Sequence, residues 1–223
     1  MFEKVLLSWG GGKDCALALY EISKSGQYEV SALLTTVTED YDRISMHGVR
    51  RTLLEKQAAS VGIPLEKVFI PANAANEEYE NGIRLVLNKH RSLGVSSVVF
   101  GDIFLEDLRK YREENLARIG MRGLFPLWKR DTGDLAHRFI DLGFRAIITC
   151  VDTHALGKEF VGREYNLDFL GELPPGVDLC GENGEFHSFV YDGPIFRNRI
   201  LFRKGESLLR DNRFYFQDLV EPE

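Results

Sequence analysis

The chain has 223 residues, of which 44% are hydrophobic and 28% are charged, and its formal net charge at pH 7 is -6. Such a composition is that of a globular protein that buries a core without disulfides, and the length suits one large domain or a main domain with a smaller partner. The acidic balance disfavours non-specific binding to nucleic acid or to anionic membranes.

The three cysteines, Cys15, Cys150 and Cys180, are far apart and form no C-x-x-C pair, so neither a disulfide framework nor a zinc site is predicted. The N-terminal apolar run is too short for a signal peptide. No stretch approaches the ~18–20 apolar residues of a membrane span. We therefore expect a protein of the reducing cytoplasm that has no membrane partner.

Strands and helices alternate along the first half of the chain. Apolar and β-branched runs predict strands at 4–8, 30–37, 67–71 and 95–103, and amphipathic runs predict helices at 14–24, 50–62, 77–94 and 106–120. This alternation is typical of an α/β fold with a parallel sheet covered by helices. Ligands of such sheets bind beyond the carboxyl ends of the strands. We therefore expect the strand ends at the glycine run, at Thr36 and at Gly101-Asp102 to share one site.

The alternation weakens after about residue 125. A further strand is predicted at 145–152, and glycine and proline become dense beyond it. We therefore divide the chain into a nucleotide-binding domain at 1–125 and a smaller α+β lobe at 126–223.

Three consecutive glycines between the first strand and the first helix indicate a phosphate-binding loop. The Walker A pattern fails, because Leu7 stands where it needs glycine and Asp14 where it needs serine or threonine. The dinucleotide-binding pattern meets Cys15 at its third glycine. The centre of the pyrophosphate loop, S-G-G-x-D-S, matches Gly11-Gly12-Lys13-Asp14.

The physical chemistry of this position suits a phosphate. Glycines let backbone N–H groups approach phosphate oxygens, and the helix that follows adds its positive end. Lys13 supplies a further charge, and Asp14 either caps the helix or helps to hold magnesium. A tight turn without a ligand is the alternative, but three glycines in a row are costly in conformational entropy.

Two positions depart from the pyrophosphate pattern, because Gly10 and Cys15 stand where serines are usual. Two hydroxyl donors to phosphate are thereby lost, although Ser8 lies nearby, and a thiol is a weak donor. A helix N-terminus tends to lower the pKa of a thiol. For Cys15 we nevertheless prefer the interpretation that it is a small residue that packs the turn.

A second dense stretch, CGENGEFHSFVYDGPIF, covers residues 180–196. Alternation along a strand would set Glu185, His187 and Phe189 on the face opposite Phe186 and its alternate neighbours. A glutamate and a histidine side by side can bind a cation or transfer protons. An ordinary strand between two turns is an equally good interpretation of the pattern.

The two signatures together, GGKD and CGENGEFHSF followed by DGPIF, resemble those of the diphthine–ammonia ligase family, also described as the diphthamide synthase family of the PP-loop superfamily. Intermediate stretches agree: MHGVR at 46–50, FGDI at 100–103 and LFPLW at 124–128. The resemblance covers nearly the whole chain. Ser188 stands where family members commonly carry threonine.

The resemblance implies a Rossmann-like nucleotide-binding lobe of the adenine-nucleotide α-hydrolase type. It also implies that ATP and Mg²⁺ are used, that ATP is cleaved between its α and β phosphates, and that AMP is transferred to a substrate carboxylate. Ammonia then displaces the AMP and leaves an amide. In archaea and eukaryotes the carboxylate belongs to diphthine, a modified histidine on translation elongation factor 2.

The site residues follow from the resemblance and from the loop chemistry. We expect catalytic roles for Lys13, Asp14, Glu182, Glu185 and His187, substrate binding by Asn183 and Ser188, and a magnesium contact by Asp14. Nucleotide binding is expected from Ser8, Gly10, Gly11, Gly12, Lys13, Asp14, Cys15, Thr35, Thr36, His47, Gly48, Gly101 and Asp102.

Two other functions stay open. Some PP-loop enzymes activate an RNA or small-molecule acceptor for sulfur transfer, but the paired cysteines or zinc module usual for that chemistry are not visible, and the acidic charge disfavours a tRNA. A nucleotide-binding protein with reduced or lost ligase activity is the other, and Gly10 and Cys15 support it. The sequence does not indicate the oligomeric state.

Overall fold

The first sheet carries the predicted parallel α/β arrangement. In the computed structural model, which describes residues 2–44 and 48–222, its strands run in the order β4-β2-β1-β5-β6 and are parallel. A short sixth strand, β3, pairs antiparallel with the carboxyl end of β2. The α/β prediction is thus confirmed. The strands are β1 (Glu3–Ser8), β2 (Tyr28–Thr38), β3 (Arg43–Ile44), β4 (Leu65–Ile70), β5 (Ser97–Val99) and β6 (Arg122–Leu124).

Four helices cover the two faces of this sheet: α1 (Lys13–Lys24), α2 (Arg51–Val61), α3 (Asn76–Ser92) and α4 (Glu106–Ala117). Successive side chains of a strand point to opposite faces. Leu7 therefore packs in a core with residues of α1 and α2, whereas Leu6 packs in a second core with residues of α3 and α4. Of the helices within 2–44 and 48–222, none is both long and apolar enough to cross a membrane.

A smaller antiparallel sheet forms the second lobe, in the order β8-β7-β10-β9. The strand predicted at 145–152 is confirmed with the same bounds. The boundary at 125 and 126 falls between the two sheets and stays a prediction. The elements of this lobe are α5 (Thr132–Asp141), β7 (Arg145–Asp152), α6 (Leu167–Glu172), β8 (Phe186–Asp192), β9 (Arg203–Arg210) and β10 (Phe214–Val220).

Two strand ends differ from the predictions. The strand predicted at 95–103 is regular only over β5, so Gly101 and Asp102 lie in the loop that follows. Conversely, β2 continues past Thr36 to Thr38, because its last residues pair with β4 up to Ile70. The predicted ends of these two strands are therefore displaced, and the shared site at the glycine run, Thr36 and Gly101-Asp102 stays a prediction.

Candidate functional site

The glycine loop joins β1 to α1, and at Gly11 it has a backbone conformation that only glycine fits well. Gly11 has φ +78°, and a Cβ there would lie 2.5 Å from Leu54 Cδ1 and 2.7 Å from the side-chain oxygen of Gln57. Helix α1 begins directly after Gly12. The first N–H groups of a helix have no partner within the helix, so the loop and the helix start present several donors to an anion.

Strand β8 of the second lobe packs directly against this loop. Val190 donates its N–H to the carbonyl oxygen of Gly11 at 2.9 Å, and Lys13 donates its N–H to Ser188 Oγ at 3.2 Å. The two signatures of the sequence are therefore hydrogen-bonded to each other across the lobes. The hydroxyl of Ser188, a residue expected to bind substrate, thus accepts a hydrogen bond from the backbone at the start of α1.

A residue that the sequence analysis missed holds both partners. Gln57 on α2 is 0% exposed, accepts a hydrogen bond from the indole of Trp9 and donates to the carbonyl oxygens of Gly11 and Val190. Nothing in its sequence context marks it, because a glutamine within a helix is usually solvated.

The ammonium group of Lys13 is buried between the lobes. Its Nζ lies 2.8 Å from Asp14 Oδ2 and 5.5 Å from the centre of the Phe186 ring, with Tyr165 on another side at 5.9 Å. Burial is the largest single effect and would lower the pKa of Lys13, but the charge of Asp14, its hydrogen bond to Lys13 and the other negative groups nearby together outweigh burial and raise the pKa. Lys13 therefore stays charged at the junction of the lobes.

The acidic loop that precedes β8 is organised by its own side chains. Asp178 accepts the N–H groups of Cys180 and Glu182 at 3.0 Å each. Glu185 Oε1 accepts the N–H of Asp178 and the side-chain amide of Asn183, again at 3.0 Å each. Asn183 and Glu185, expected in substrate binding and catalysis, thus bond to each other. Glu185 lies directly before β8, which begins at Phe186.

Glu182 extends from this loop to the first lobe. Its Oε1 accepts the N–H of Ile103 at 2.7 Å, directly after Gly101 and Asp102. Burial is the main cause that raises the pKa of Glu182 to about 7, and the negative charge of Asp14 adds to the shift. Such a carboxyl group can hold or release a proton near neutral pH.

The His187 ring is neutral at neutral pH. Burial lowers its pKa to about 4, and the positive charge of Lys13 acts in the same direction. The interpretation that Glu185 and His187 bind a cation or transfer protons stays a prediction. Within the two described ranges, no group of three or more histidine, cysteine, aspartate or glutamate side chains is arranged to hold a metal ion.

The Cys15 thiol behaves as a packing group. It donates to the carbonyl oxygen of Gly12 at 3.0 Å, and burial raises its pKa to about 12. The usual lowering at a helix N-terminus is therefore absent, because the loss of water around a thiolate outweighs the backbone N–H groups that favour it.

A cavity of about 340 Å³ opens beside the loop, at the carboxyl ends of β1 and β2 and between α3 and α4. Four of the predicted nucleotide-binding residues line it: Ser8, Gly10, Thr35 and Thr36. Helices α3 and α4 contribute side chains for which the sequence predicted no part in a site. Among them are Tyr79, Glu80, Arg84, Tyr111, Arg112 and Asn115.

Asp102 does not line this cavity itself, but it forms an ion pair with Arg112, which does. Its Oδ2 lies 2.7 Å from Arg112 Nε, and the guanidinium of Arg112 stacks 4.4 Å from the centre of the Phe100 ring. Burial raises the pKa of Asp102, and the charge of Arg112 opposes the shift. Asp102 thus orients a cation that lines the cavity.

The remaining predicted residues lie elsewhere. Gly101 packs against the start of α1, where a Cβ would come within 2.8 Å of the backbone of Asp14. Gly48 has φ +67° and faces the Phe216 ring of the second lobe, outside the cavity. His47 lies outside the described residues.

Comparison with known proteins accounts for both lobes. A family model described as the diphthamide synthase N-terminal domain matches residues 3–123, and one described as the diphthamide synthase C-terminal domain matches residues 131–217. A diphthine–ammonia ligase of Danio rerio is 27% identical, over 91% of this chain and 87% of the relative. Those of Mus musculus and Homo sapiens are 35% and 33% identical, each over 89% of this chain and 82% of the relative.

Proposed function

Since this chain belongs to the diphthamide synthase family, we propose that it is an ATP-dependent ligase that amidates the carboxylate of diphthine with ammonia and releases AMP and pyrophosphate. One observation carries the proposal beyond the family. The signature strand β8 is hydrogen-bonded to the glycine loop, with 2.9 Å between Val190 N and the Gly11 oxygen. The glycine loop, which we propose binds phosphate, and a cluster of titratable side chains therefore lie at one junction.

The first half-reaction activates the acceptor. A carboxylate is a poor electrophile, because its leaving group would be oxide, so one of its oxygens attacks the α-phosphorus of ATP and pyrophosphate departs. The N–H groups of the loop and the charge of Lys13 stabilise the negative charge that grows on the departing pyrophosphate. The cavity beside Thr35 and Thr36 is of the size that a nucleoside needs.

Magnesium fits this site as an ion that arrives with the nucleotide. Mg²⁺ is usually bound through one or two carboxylates together with substrate phosphates and water, not by a cage of protein ligands. Asp14 is the carboxylate at the loop, and its side chain is 32% exposed. Asp14 would hold the ion, which would neutralise phosphate charge.

In the second half-reaction ammonia attacks the acyl carbon, the nitrogen loses a proton and AMP leaves. The pKa of Glu182, about 7, suits a group that takes this proton near neutral pH. The ring of His187, neutral near neutral pH, is proposed to orient ammonia. The proposal includes elongation factor 2 as the protein substrate and a cytoplasmic location, where Cys15, Cys150 and Cys180 remain free thiols.

The proposal is tested with purified protein, ATP, Mg²⁺, ammonium chloride and elongation factor 2 that carries diphthine. We expect AMP and pyrophosphate in equal amounts and the mass change of a carboxylate that has become an amide. Lys13→Met should abolish both products. Lys24→Met, at the exposed end of the same helix, is the control and should retain them.

Two results would contradict the ligase assignment. Binding of ATP without pyrophosphate release in the complete mixture would favour a nucleotide-binding protein without ligase activity, as the substitutions at Gly10 and Cys15 suggest. Transfer of sulfur to an RNA acceptor, with no change in elongation factor 2, would favour the thiolation chemistry of other PP-loop enzymes.

A further inference from the structure

Gln57 is a buried polar residue that has no part in the proposed reaction. It lies on α2 with 0% exposure, and its three hydrogen bonds join it to Trp9 directly after β1, to Gly11 in the glycine loop and to Val190 in strand β8. We propose that Gln57 is a positioning residue that aims the glycine loop at phosphate. This inference rests on the proposed function and adds a residue to its phosphate site.

The orientation of the Gln57 amide follows from its partners. The indole N–H of Trp9 can only donate, so the amide oxygen must face it, at 3.0 Å. The carbonyl oxygens of Gly11 and Val190 can only accept, so the NH₂ group must face them, at 3.0 Å and 2.5 Å. A flipped amide would lose all three hydrogen bonds. The side chain therefore has one arrangement, and its partners are held in one arrangement with it.

The hydrogen bonds to Gly11 fix the direction of a peptide plane. The carbonyl oxygen of Gly11 receives two donors, Gln57 Nε2 at 3.0 Å and the N–H of Val190 at 2.9 Å. In a trans peptide unit the C=O and the following N–H point in opposite directions. Because the Gly11 oxygen is held toward α2 and β8, the N–H of Gly12 is turned away from them. This N–H belongs to the N-cap of α1, where the helix presents its donors to an anion.

The same amide links the loop to the second lobe. Gln57 binds Gly11 and Val190 together, and Val190 itself donates to Gly11, so the three groups form a closed set. The peptide of Gly11 is therefore supported from the first lobe through α2 and from the second lobe through β8. Removal of the amide would leave the Gly11 oxygen with one donor and free the loop to rotate this peptide.

The test compares Gln57→Met with a matched control. Methionine has a similar length and makes no comparable hydrogen bonds. Gln217 on β10 is a bridging glutamine of the same kind: it donates to the carbonyl oxygens of Gly205 and Asp218, at 2.8 Å and 3.0 Å, and accepts from Ser207 at 3.0 Å. Gln217→Met removes the same chemistry outside the loop and the cavity.

Two probes, inorganic pyrophosphate with Mg²⁺ and adenosine, separate positioning from general damage. If the N–H of Gly12 no longer points at a charged phosphate oxygen, pyrophosphate should bind about 10-fold to 100-fold more weakly. The binding of adenosine, which carries no phosphate, should change less than about 2-fold. Gln217→Met should bind both probes as the unaltered protein does. Thermal unfolding of both variants checks that they are folded.

The inference is overturned if folded Gln57→Met binds pyrophosphate and adenosine equally more weakly, or if its binding of both is unchanged. If that variant does not fold, Gln57→Glu is measured in the same way, because it keeps the side-chain volume and an acceptor for Trp9 but lacks both donors. Failure of the unaltered protein to bind pyrophosphate or ATP would overturn the phosphate site itself and with it the proposed function. The two failures are therefore distinguishable.

Discussion

At the scale of single residues, Glu182 makes the stability of the protein depend on pH. Burial raises its pKa to about 7, well above that of an unfolded chain. Between these two values the folded state binds more protons than the unfolded state, so this carboxyl group makes stability fall as pH rises. The fall should begin near the unfolded pKa and be complete above about pH 7.

The measurement is urea unfolding of the unaltered protein and of Glu182→Gln at several values between about pH 5 and pH 8. The glutamine keeps an acceptor for the N–H of Ile103 but does not titrate. We expect the unaltered protein to lose stability relative to the variant as pH rises over this range. A difference that stays constant with pH would contradict a raised pKa at Glu182.

Ser188 supports the second prediction at this scale. Its buried hydroxyl accepts the N–H of Lys13 at 3.2 Å, so Ser188→Ala leaves the first N–H of α1 without this partner. We expect a loss of about 1 kcal/mol in the free energy of unfolding and weaker binding of ATP. Ser188→Thr keeps the hydroxyl and is the matched variant. Calorimetry of ATP binding and of unfolding tests the pair, and equal behaviour of alanine and threonine would refute the hydrogen-bond argument.

The residues of the site differ in how far the sequence could predict them. Gly11 and Lys13 belong to a local pattern, so their place at the head of α1 follows from the loop chemistry. Gln57 and Arg112 have no such pattern. Gln57 contacts Val190, which is 133 positions away in the second lobe, so only the packing of the lobes reveals this contact. Arg112 contacts Asp102 and Phe100 within the first lobe, and its place beside the cavity follows from the packing of α4, for which the local sequence carries no signal.

At the scale of elements, the loop after β5 must come very close to the start of α1. A Cβ on Gly101 would lie 2.8 Å from the carbonyl carbon of Asp14 and 3.0 Å from the backbone nitrogen of Cys15. These are backbone atoms that cannot move aside without shifting the helix. Gly101→Ala should therefore cost about 1–3 kcal/mol in stability and weaken the binding of ATP.

Gly171 offers the matched control for this substitution. It lies in α6, and a Cβ there would meet no atom within 4 Å. Gly171→Ala should change stability by less than about 1 kcal/mol, in the stabilising direction, because alanine favours a helix. Thermal unfolding and ATP binding of both variants make the comparison. If Gly101→Ala is as stable as Gly171→Ala and binds ATP as tightly, the argument from the close approach is refuted.

The strand that precedes this loop is shorter than the sequence predicted. The apolar run at 95–103 suggested one strand, but β5 ends at Val99. Its pairing with β1 and with β6 stops at Val99, and Gly101 then lies against the start of α1. Hydrophobic periodicity predicted α1, β7 and the alternation of the first lobe well, because those patterns are local. A strand end that depends on a tertiary contact leaves no local signal.

At the scale of the whole molecule, the two lobes share one core. Leu7 and Leu54 of the first lobe and Phe186 and Phe189 of the second belong to one cluster of buried side chains. The sequence predicted two lobes from a change in glycine and proline content, which carries no information on how the lobes pack. A shared core and shared hydrogen bonds imply that the lobes unfold together, since neither keeps its buried surface alone.

A buried ion pair between the lobes gives the last prediction. Asp218 on β10 accepts from Arg43 at 2.8 Å and from Arg50 at 2.7 Å, and its side chain is 12% exposed. Burial alone would raise its pKa, but the hydrogen bonds from Arg50 and Arg43 lower it to about 2. The stability that this carboxylate contributes is therefore present above its unfolded pKa and is lost as pH falls toward 2.

Asp218→Ala should destabilise the protein by about 1–3 kcal/mol near neutral pH, because it leaves the largely buried Arg43 without its carboxylate. The control is Glu221→Ala, which removes the pair with Lys56, where both side chains are more than 40% exposed. That loss should stay below about 1 kcal/mol. Denaturant unfolding near neutral pH and near pH 3 compares the two, and the Asp218→Ala deficit should shrink at the lower pH.

In the unaltered protein, far-ultraviolet circular dichroism and tryptophan fluorescence should report one coincident transition. Two separate transitions would show that the lobes fold independently despite their common core.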